Sequence, residues 1–229
     1  MGKKPDKDIS NMHAKQDGYY KVSRTEMIDF IPKDAKRVVD IGCGEGCFGT
    51  QLKALGMEVW GVEMHLDAAD TAKKCLDKVL VGDVLYLLND LPNNYFDCII
   101  FNDVLEHLAD PYTVLFNIKT KLNKNGVVVS SIPNVRYYSN LKKLLIDKQW
   151  QYEDLGILDK THLRFFTEKS IKDTFDRLGY EIVKLSGINA FNPTWKFKLL
   201  NIITLGNLSD TKFAQFGCIA KNKNTSREE

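Results

Sequence analysis

From residue 37 the chain alternates short apolar runs with stretches in which apolar residues recur every third or fourth position. Arg37–Ile41 reads as a buried strand, residues 42–46 as a tight turn, and Phe48, Leu52 and Leu55 as one face of a helix ended by Gly56. Residues 58–62 form the second predicted strand, and Ala68, Ala72, Cys75 and Val79 follow at helical spacing. Residues 79–81, 96–101 and 127–131 supply three more strands. Pro111 opens a helix bearing Val114, Leu115, Ile118 and Leu122, with Gly126 expected as its C′ residue. Past Pro133 the pattern loosens. Residues 137–146 read as an amphipathic helix with Tyr138, Leu141 and Leu145 on one side, and 154–167 as a loop. Thr167 is placed to cap a helix carrying Ile171, Phe175 and Leu178 that Gly179 stops. Residues 181–185 and 214–220 are the last strands, and the aromatic, Leu-rich stretch 191–213 between them has no assignable form.

Strands alternating with amphipathic helices predict an α/β fold, a doubly wound parallel sheet covered on both faces. At 229 residues the chain suits one domain. Residues 1–36 precede the sheet, 37–132 form its core, and 133–167 and 190–213 read as insertions over one end. Basic and acidic residues, 32 and 30, nearly cancel, so overall charge offers no case for nucleic acid or an anionic membrane as the main partner. Five cysteines form no C-x-x-C pair, no His spacing completes a zinc site, and no metal is expected. Core thiols of this kind fit a reducing cytoplasm, and no apolar run is long enough to span a bilayer. A homodimer is compatible with the sequence.

The chemistry concentrates in Val38-Val39-Asp40-Ile41-Gly42-Cys43-Gly44-Glu45-Gly46. In an open α/β sheet, ligands bind beyond the carboxyl ends of the strands, and glycines there let backbone approach the ligand closely. Asp40 stands where its carboxylate can meet an ammonium. Glu63 follows 23 residues later, the distance at which an acid accepts ribose hydroxyls. A dinucleotide site is the rival reading. Its fingerprint is G-x-G-x-x-G, whereas the glycines here fall at 42, 44 and 46, and an acid before the turn would face a pyrophosphate unfavourably.

These residues resemble the first two motifs of class I methyltransferases that use S-adenosylmethionine (SAM), with Gly61-Val62-Glu63 as the second. Gly82-Asp83-Val84 is similar to the third. Residues 96–111, containing Asn102-Asp103-Val104-Leu105-Glu106-His107-Leu108, resemble the segment after strand four in ubiquinone-type methyltransferases. Tyr19-Tyr20 to Arg24, with Leu163-Arg164-Phe165-Phe166-Thr167, looks like methyltransferases encoded with polysaccharide or cell-surface sugar enzymes. The resemblance implies a seven-stranded sheet whose last strand is antiparallel, with SAM as methyl donor and S-adenosylhomocysteine as product. It implies that Asp40 and the backbone at Gly42 and Gly44 hold the methionine part, Glu63 the ribose, and Asp83 the adenine beside Val84 or Leu85. Asn102 would lie near the sulfonium. Met64 would pack on adenine or, equally, in the core. Tyr20 and Arg24 would form a lid, with Arg24 meeting the SAM carboxylate, or else belong to a solvated amphipathic helix.

Methyl transfer to a hydroxyl to form an ether requires loss of a proton, so a base is sought. His107 is the first candidate, with Asp103 four residues earlier on the same face if the segment is helical. The competing reading makes Asp103-Val104-Leu105-Glu106 a capping box and His107 a packed helix residue. His162 and Arg164 are second candidates, in a loop that either closes over a small acceptor or plugs its aromatics into the core. Tyr138 and Arg164 are the expected acceptor-binding residues. A hydroxyl of a sugar or related metabolite is the favoured acceptor; N- or C-methylation and SAM binding without catalysis stay open.

Overall fold

The computed structural model describes residues 23–223. Its centre is one seven-stranded sheet in the order β3-β2-β1-β4-β5-β7-β6, built from β1 Arg37–Ile41, β2 Glu58–Glu63, β3 Lys78–Val81, β4 Phe96–Asn102, β5 Leu122–Pro133, β6 Tyr180–Ala190 and β7 Phe213–Asn222. Strands β1 to β5 pair in parallel, and β7 runs antiparallel to both β5 and β6, so β7 alone is reversed. The doubly wound sheet is as the hydrophobic pattern predicts, and the antiparallel last strand is as the family resemblance implies.

Alternation along each strand sends neighbours to opposite faces. Val39, Ile99 and Val128 join one core with Val114, Leu115 and Ile118 of α4 (Pro111–Ile118) and Ile171 and Phe175 of α6 (Glu168–Arg177). Val38, Ile100 and Val129 join the other, with Phe48 and Leu52 of α1 (Cys47–Ala54) and Met27 and Phe30 of the 3-10 turn Thr25–Phe30. Thr167 caps α6 as expected, accepting the Ser170 N–H while the Ser170 hydroxyl accepts the Thr167 N–H.

Several predicted boundaries move. Helix α2 spans only Leu66–Ala72, so Cys75 lies in the turn beyond it and Val79 in β3. Asp83 begins a short helix, α3 (Val84–Leu87). Helix α4 stops at Ile118, passes into a 3-10 turn Lys119–Lys121, and gives way to β5 at Leu122. Gly126 is thus inside β5 and is no helix C′ residue; a Cβ there would stand 2.7 Å from the Phe96 carbonyl oxygen. The stretch with no assignable form contains α7 (Trp195–Ile203) and a 3-10 turn Ser209–Lys212, while α5 spans Tyr138–Leu145. After Pro133 the chain leaves the sheet and returns where Phe166 bridges Asn134. No helix among the described residues is long and apolar enough to cross a membrane.

Candidate active site

The carboxyl ends of β1, β2 and β4 open into a cavity of about 1210 Å³. At its floor Asp40, flanked in the sheet by Gly61 and Ile100, is only 3% exposed. Burial, and after it the charge of Glu63, pushes the Asp40 carboxyl up to about 8. Such a group stays mostly protonated at neutral pH until a cation reaches it, and a ligand ammonium supplies one. Glu63 is held on both sides. One oxygen accepts the Gly44 N–H and the other the His65 N–H, each at 2.8 Å, fixing the carboxylate with lone pairs left over for two hydroxyls.

The glycine turn is stitched to β2 by the Gly42 and Cys43 N–H groups, which both donate to the Val62 carbonyl. Gly42 has φ +71, and a Cβ there would lie 2.6 Å from Val104 Cγ2, so the segment after β4 closes directly over the turn. The N–H groups of Gly42 and Gly44 are therefore committed within the protein; toward a ligand these residues can offer carbonyl oxygens, which suit an ammonium donor. Asp83 caps α3 by accepting the Leu85 N–H at 2.8 Å, and Val84 is the neighbour that lines the cavity. Met64 is 70% exposed and also lines it, which removes core packing as its role. The side-chain amide nitrogen and oxygen of Asn102 are buried without a hydrogen-bond partner in the described structure. Leaving buried polar atoms unpaired costs about 1–3 kcal/mol, a deficit a polar ligand would relieve.

The other half of the cavity is lined by His107 and Leu108 and by residues from the 155–163 loop. The sequence placed Asp103 and His107 on one helix face or in a capping box. Neither form occurs, because Asp103 has φ +52 and the segment turns without becoming helical. Asp103 instead ion-pairs with Arg24, accepts from the Gln215 amide at 2.6 Å and from the Ser131 hydroxyl at 3.0 Å. Arg24 thus lines the cavity already paired to a carboxylate.

His107 draws its partner from far along the chain. Its Nδ1 lies 3.0 Å from Thr161 Oγ1 and 3.2 Å from the Thr161 carbonyl, and Thr161 Oγ1 donates to Asp159 at 2.8 Å. Because the Thr161 proton goes to Asp159, the hydroxyl and carbonyl oxygens of Thr161 both accept from His107 Nδ1–H. In the neutral ring this leaves the lone pair on Nε2. His162 packs edge-on against His107, with centroids 4.6 Å apart, and its Nδ1 is 2.9 Å from the Ile157 carbonyl. Beside both rings, Glu106 is 1% exposed; neither of its oxygens has a hydrogen-bond partner in the described structure, and burial pushes its carboxyl up to about 8. Ligand atoms of Glu106, His107 and His162 lie within 4.8 Å of one another, so the structure assembles a trio able to hold a cation, where sequence spacing gave none.

Two expected acceptor residues stand elsewhere. Tyr138 packs on Phe191 and Phe197 and does not line the cavity. Arg164 donates to the Leu163 and Ala109 carbonyls and acts as a strut behind the loop, since its guanidinium satisfies nearby backbone oxygens. Tyr20 lies outside the described residues. Sequence reasoning missed Glu106, Asp159, Thr161 and Gln215. For Glu106 the adjacent Glu-His pair was a usable signal; Gln215 is 112 residues from the aspartate it contacts, and no local pattern marks it.

The two buried carboxyls carry a pH consequence. A carboxyl raised in the fold to about 8 contributes stability fully present below its ordinary range, near 3.8 for Asp and 4.5 for Glu, and lost as pH rises through 8. The melting temperature of the ligand-free protein should therefore fall as pH rises from about 5 to 8 and level off above that, and Asp40→Asn should flatten the fall; an equally steep fall in the variant would assign it to other groups.

A mostly parallel sheet with one buried acid ending β1, a second ending β2 and a glycine turn between them is the arrangement that class I SAM-dependent methyltransferases share. A methyltransferase-domain family model matches residues 13–185, and the chain belongs to that family. It is 26% identical over 180 residues to a ubiquinone biosynthesis O-methyltransferase of Cereibacter sphaeroides, covering 74% of this chain and 70% of that protein. A mitochondrial enzyme of the same name from Schizosaccharomyces pombe is 34% identical over 102 residues, 42% of this chain and 37% of that one. The counterpart from Glaesserella parasuis is 31% identical over 108 residues, so the chain spans less than half the length of these last two. Among solved structures, a SAM-dependent methyltransferase from Archaeoglobus fulgidus superposes with TM-score 0.66 at 22% identity, covering 89% of this chain and 94% of that one. At that identity it speaks for the fold alone.

Proposed function

We propose that this enzyme moves the SAM methyl group to a hydroxyl of a small polar acceptor held between His107 and the 155–163 loop. The observation carrying this reading is the Asp159–Thr161–His107 chain, which holds the ring of a cavity-lining histidine through its Nδ1. Attack on the sulfonium methyl is an in-line displacement in which placement does most of the work, and the leaving hydroxyl proton passes to His107. Asp40 takes the cofactor ammonium, Glu63 the ribose hydroxyls, and Asp83 with Val84 and Met64 the adenine. Asn102 faces the methionine part and Arg24, through its pair with Asp103, closes that end. The relatives named as O-methyltransferases support a hydroxyl acceptor. A sugar hydroxyl is the narrower choice, supported only by the likeness of residues 19–24 and 163–167 to enzymes of sugar loci. Five free thiols fit a reducing cytoplasm.

A second reading has its own observation. Glu106, His107 and His162 would hold a divalent cation that binds the acceptor oxygen and lowers its pKa. Incubation with methyl-labelled SAM and a panel of phenolic, sugar and amine acceptors tests both. Label in base-stable ethers, insensitive to chelator, is the expected result. Chelator-sensitive ether formation selects the cation, label confined to amines selects N-methylation, and SAM binding without any transfer would remove the enzymatic reading.

A further inference from the structure

Near-neutral overall charge hides a local surface. Helices α5 and α7 together carry Lys142, Lys143, Lys196 and Lys198 and no acidic residue of their own; Lys143 pairs with Glu153 outside them, which leaves Lys142, Lys196 and Lys198 as the cations of this surface. They form one unit, because Tyr138 of α5 meets Phe197 of α7 edge-on at 5.4 Å and Phe191 packs against both rings. Behind them Arg136 grips Asp210 at 2.7 Å and the Asn134 amide donates to the Asp210 and Phe213 carbonyls, anchoring the pair to the sheet. The outward faces are apolar. Trp195, Ile202, Ile203 and Leu205 of the α7 segment, and Leu145 and Ile146 at the end of α5, are each two-thirds or more exposed. Phe197 is the one buried residue of α7, so most of its apolar surface is spent outward.

We propose that this helix pair docks the enzyme on an anionic lipid surface. Exposed aliphatic side chains with a tryptophan and flanking lysines are what an interfacial helix presents: the apolar groups enter the headgroup boundary, and the ammonium groups meet lipid phosphates. A protein partner fits less well, since lysine is depleted from protein–protein contacts. A second copy using the same face about a two-fold axis would set lysines against lysines. At nine residues α7 is about 13 Å long, far short of the ~30 Å hydrocarbon layer, so the contact is peripheral. The face also has a useful position. It grows from the ends of β5 and β6 and the start of β7, and Pro133, Ala214 and Gln215 at those ends line the catalytic cavity. Docking there sets the cavity mouth beside the lipid.

Flotation of the full-length protein with vesicles tests this without reference to activity. The protein should float with phosphatidylglycerol-containing vesicles, much less with pure phosphatidylcholine, and be released by high salt. The Lys196→Gln/Lys198→Gln double variant should partition about 30-fold less, and Trp195→Ala/Ile202→Ser at least about tenfold less; unchanged thermal melts establish that both fold. Failure of the wild type to float, or equal flotation of both variants, overturns the proposal. Gel filtration showing a dimer that Trp195→Ala/Ile202→Ser makes monomeric also overturns it and assigns the face to a second copy.

Discussion

Replacing His107 by alanine is expected to lower turnover roughly 10²–10⁴-fold, the usual contribution of a positioned base, while SAM affinity measured by titration stays within about twofold of wild type. The split matters because His107 lines the part of the cavity proposed for the acceptor, whereas Asp40, Glu63 and Asp83 line the part proposed for the cofactor. Thr161→Val should lower turnover less steeply, because it removes the hydroxyl that helps hold Nδ1–H but leaves the Thr161 carbonyl in place. If His107→Ala retains full turnover, the histidine is a packing residue, and proton transfer must be sought elsewhere or dispensed with.

The second large effect belongs to the paired acids. Asp40→Ala and Glu63→Ala should each weaken SAM binding by about 1–3 kcal/mol, or roughly 5–150-fold, through loss of charged hydrogen bonds. The two should differ in stability. Asp40 is a buried acid whose carboxyl is raised by burial and by Glu63, so Asp40→Asn should melt no lower than wild type at pH 8. Glu63 holds the Gly44 and His65 N–H groups, so Glu63→Ala leaves those donors without their acceptor and should melt lower. Isothermal titration and thermal melts on the same samples separate these outcomes; unchanged affinity in both variants would remove Asp40 and Glu63 from the site.

The strand–turn–strand segment proposed for the cofactor was legible because its determinants are local. An apolar run, an acid at its end, closely spaced glycines and a second acid one strand later are all read within about 25 residues, and local strand–turn–helix geometry obeys such patterns. The cap at Thr167 was legible for the same reason. The part proposed for the acceptor was not, because its geometry is set by contacts across the sheet. Asp103 is pulled into a left-handed conformation while its N–H bonds to Ser131 on β5, and this replaces the helix that its spacing to His107 suggested. Gly126 looked like a helix end, but the strand pairing of Phe96 with Leu122 ends α4 earlier. Helix α7 escaped notice because its apolar residues point to solvent as well as to the core, which blurs the one-sided periodicity that marks a buried helix. Tyr138 was drawn to the acceptor by its place in the sequence; in the fold, aromatic packing against α7 claims it.

The central claim is that the crevice beyond β1 and β2 receives SAM with its amino-acid end on Asp40 and its sugar on Glu63. A crystal structure of the complex with S-adenosylhomocysteine measures this directly. The account predicts the ligand ammonium within hydrogen-bonding distance of Asp40, both ribose hydroxyls on Glu63, and adenine beside Asp83 and Met64. A crevice left empty at saturating ligand, or the ligand bound in the opposite sense with adenine at Asp40, would contradict it.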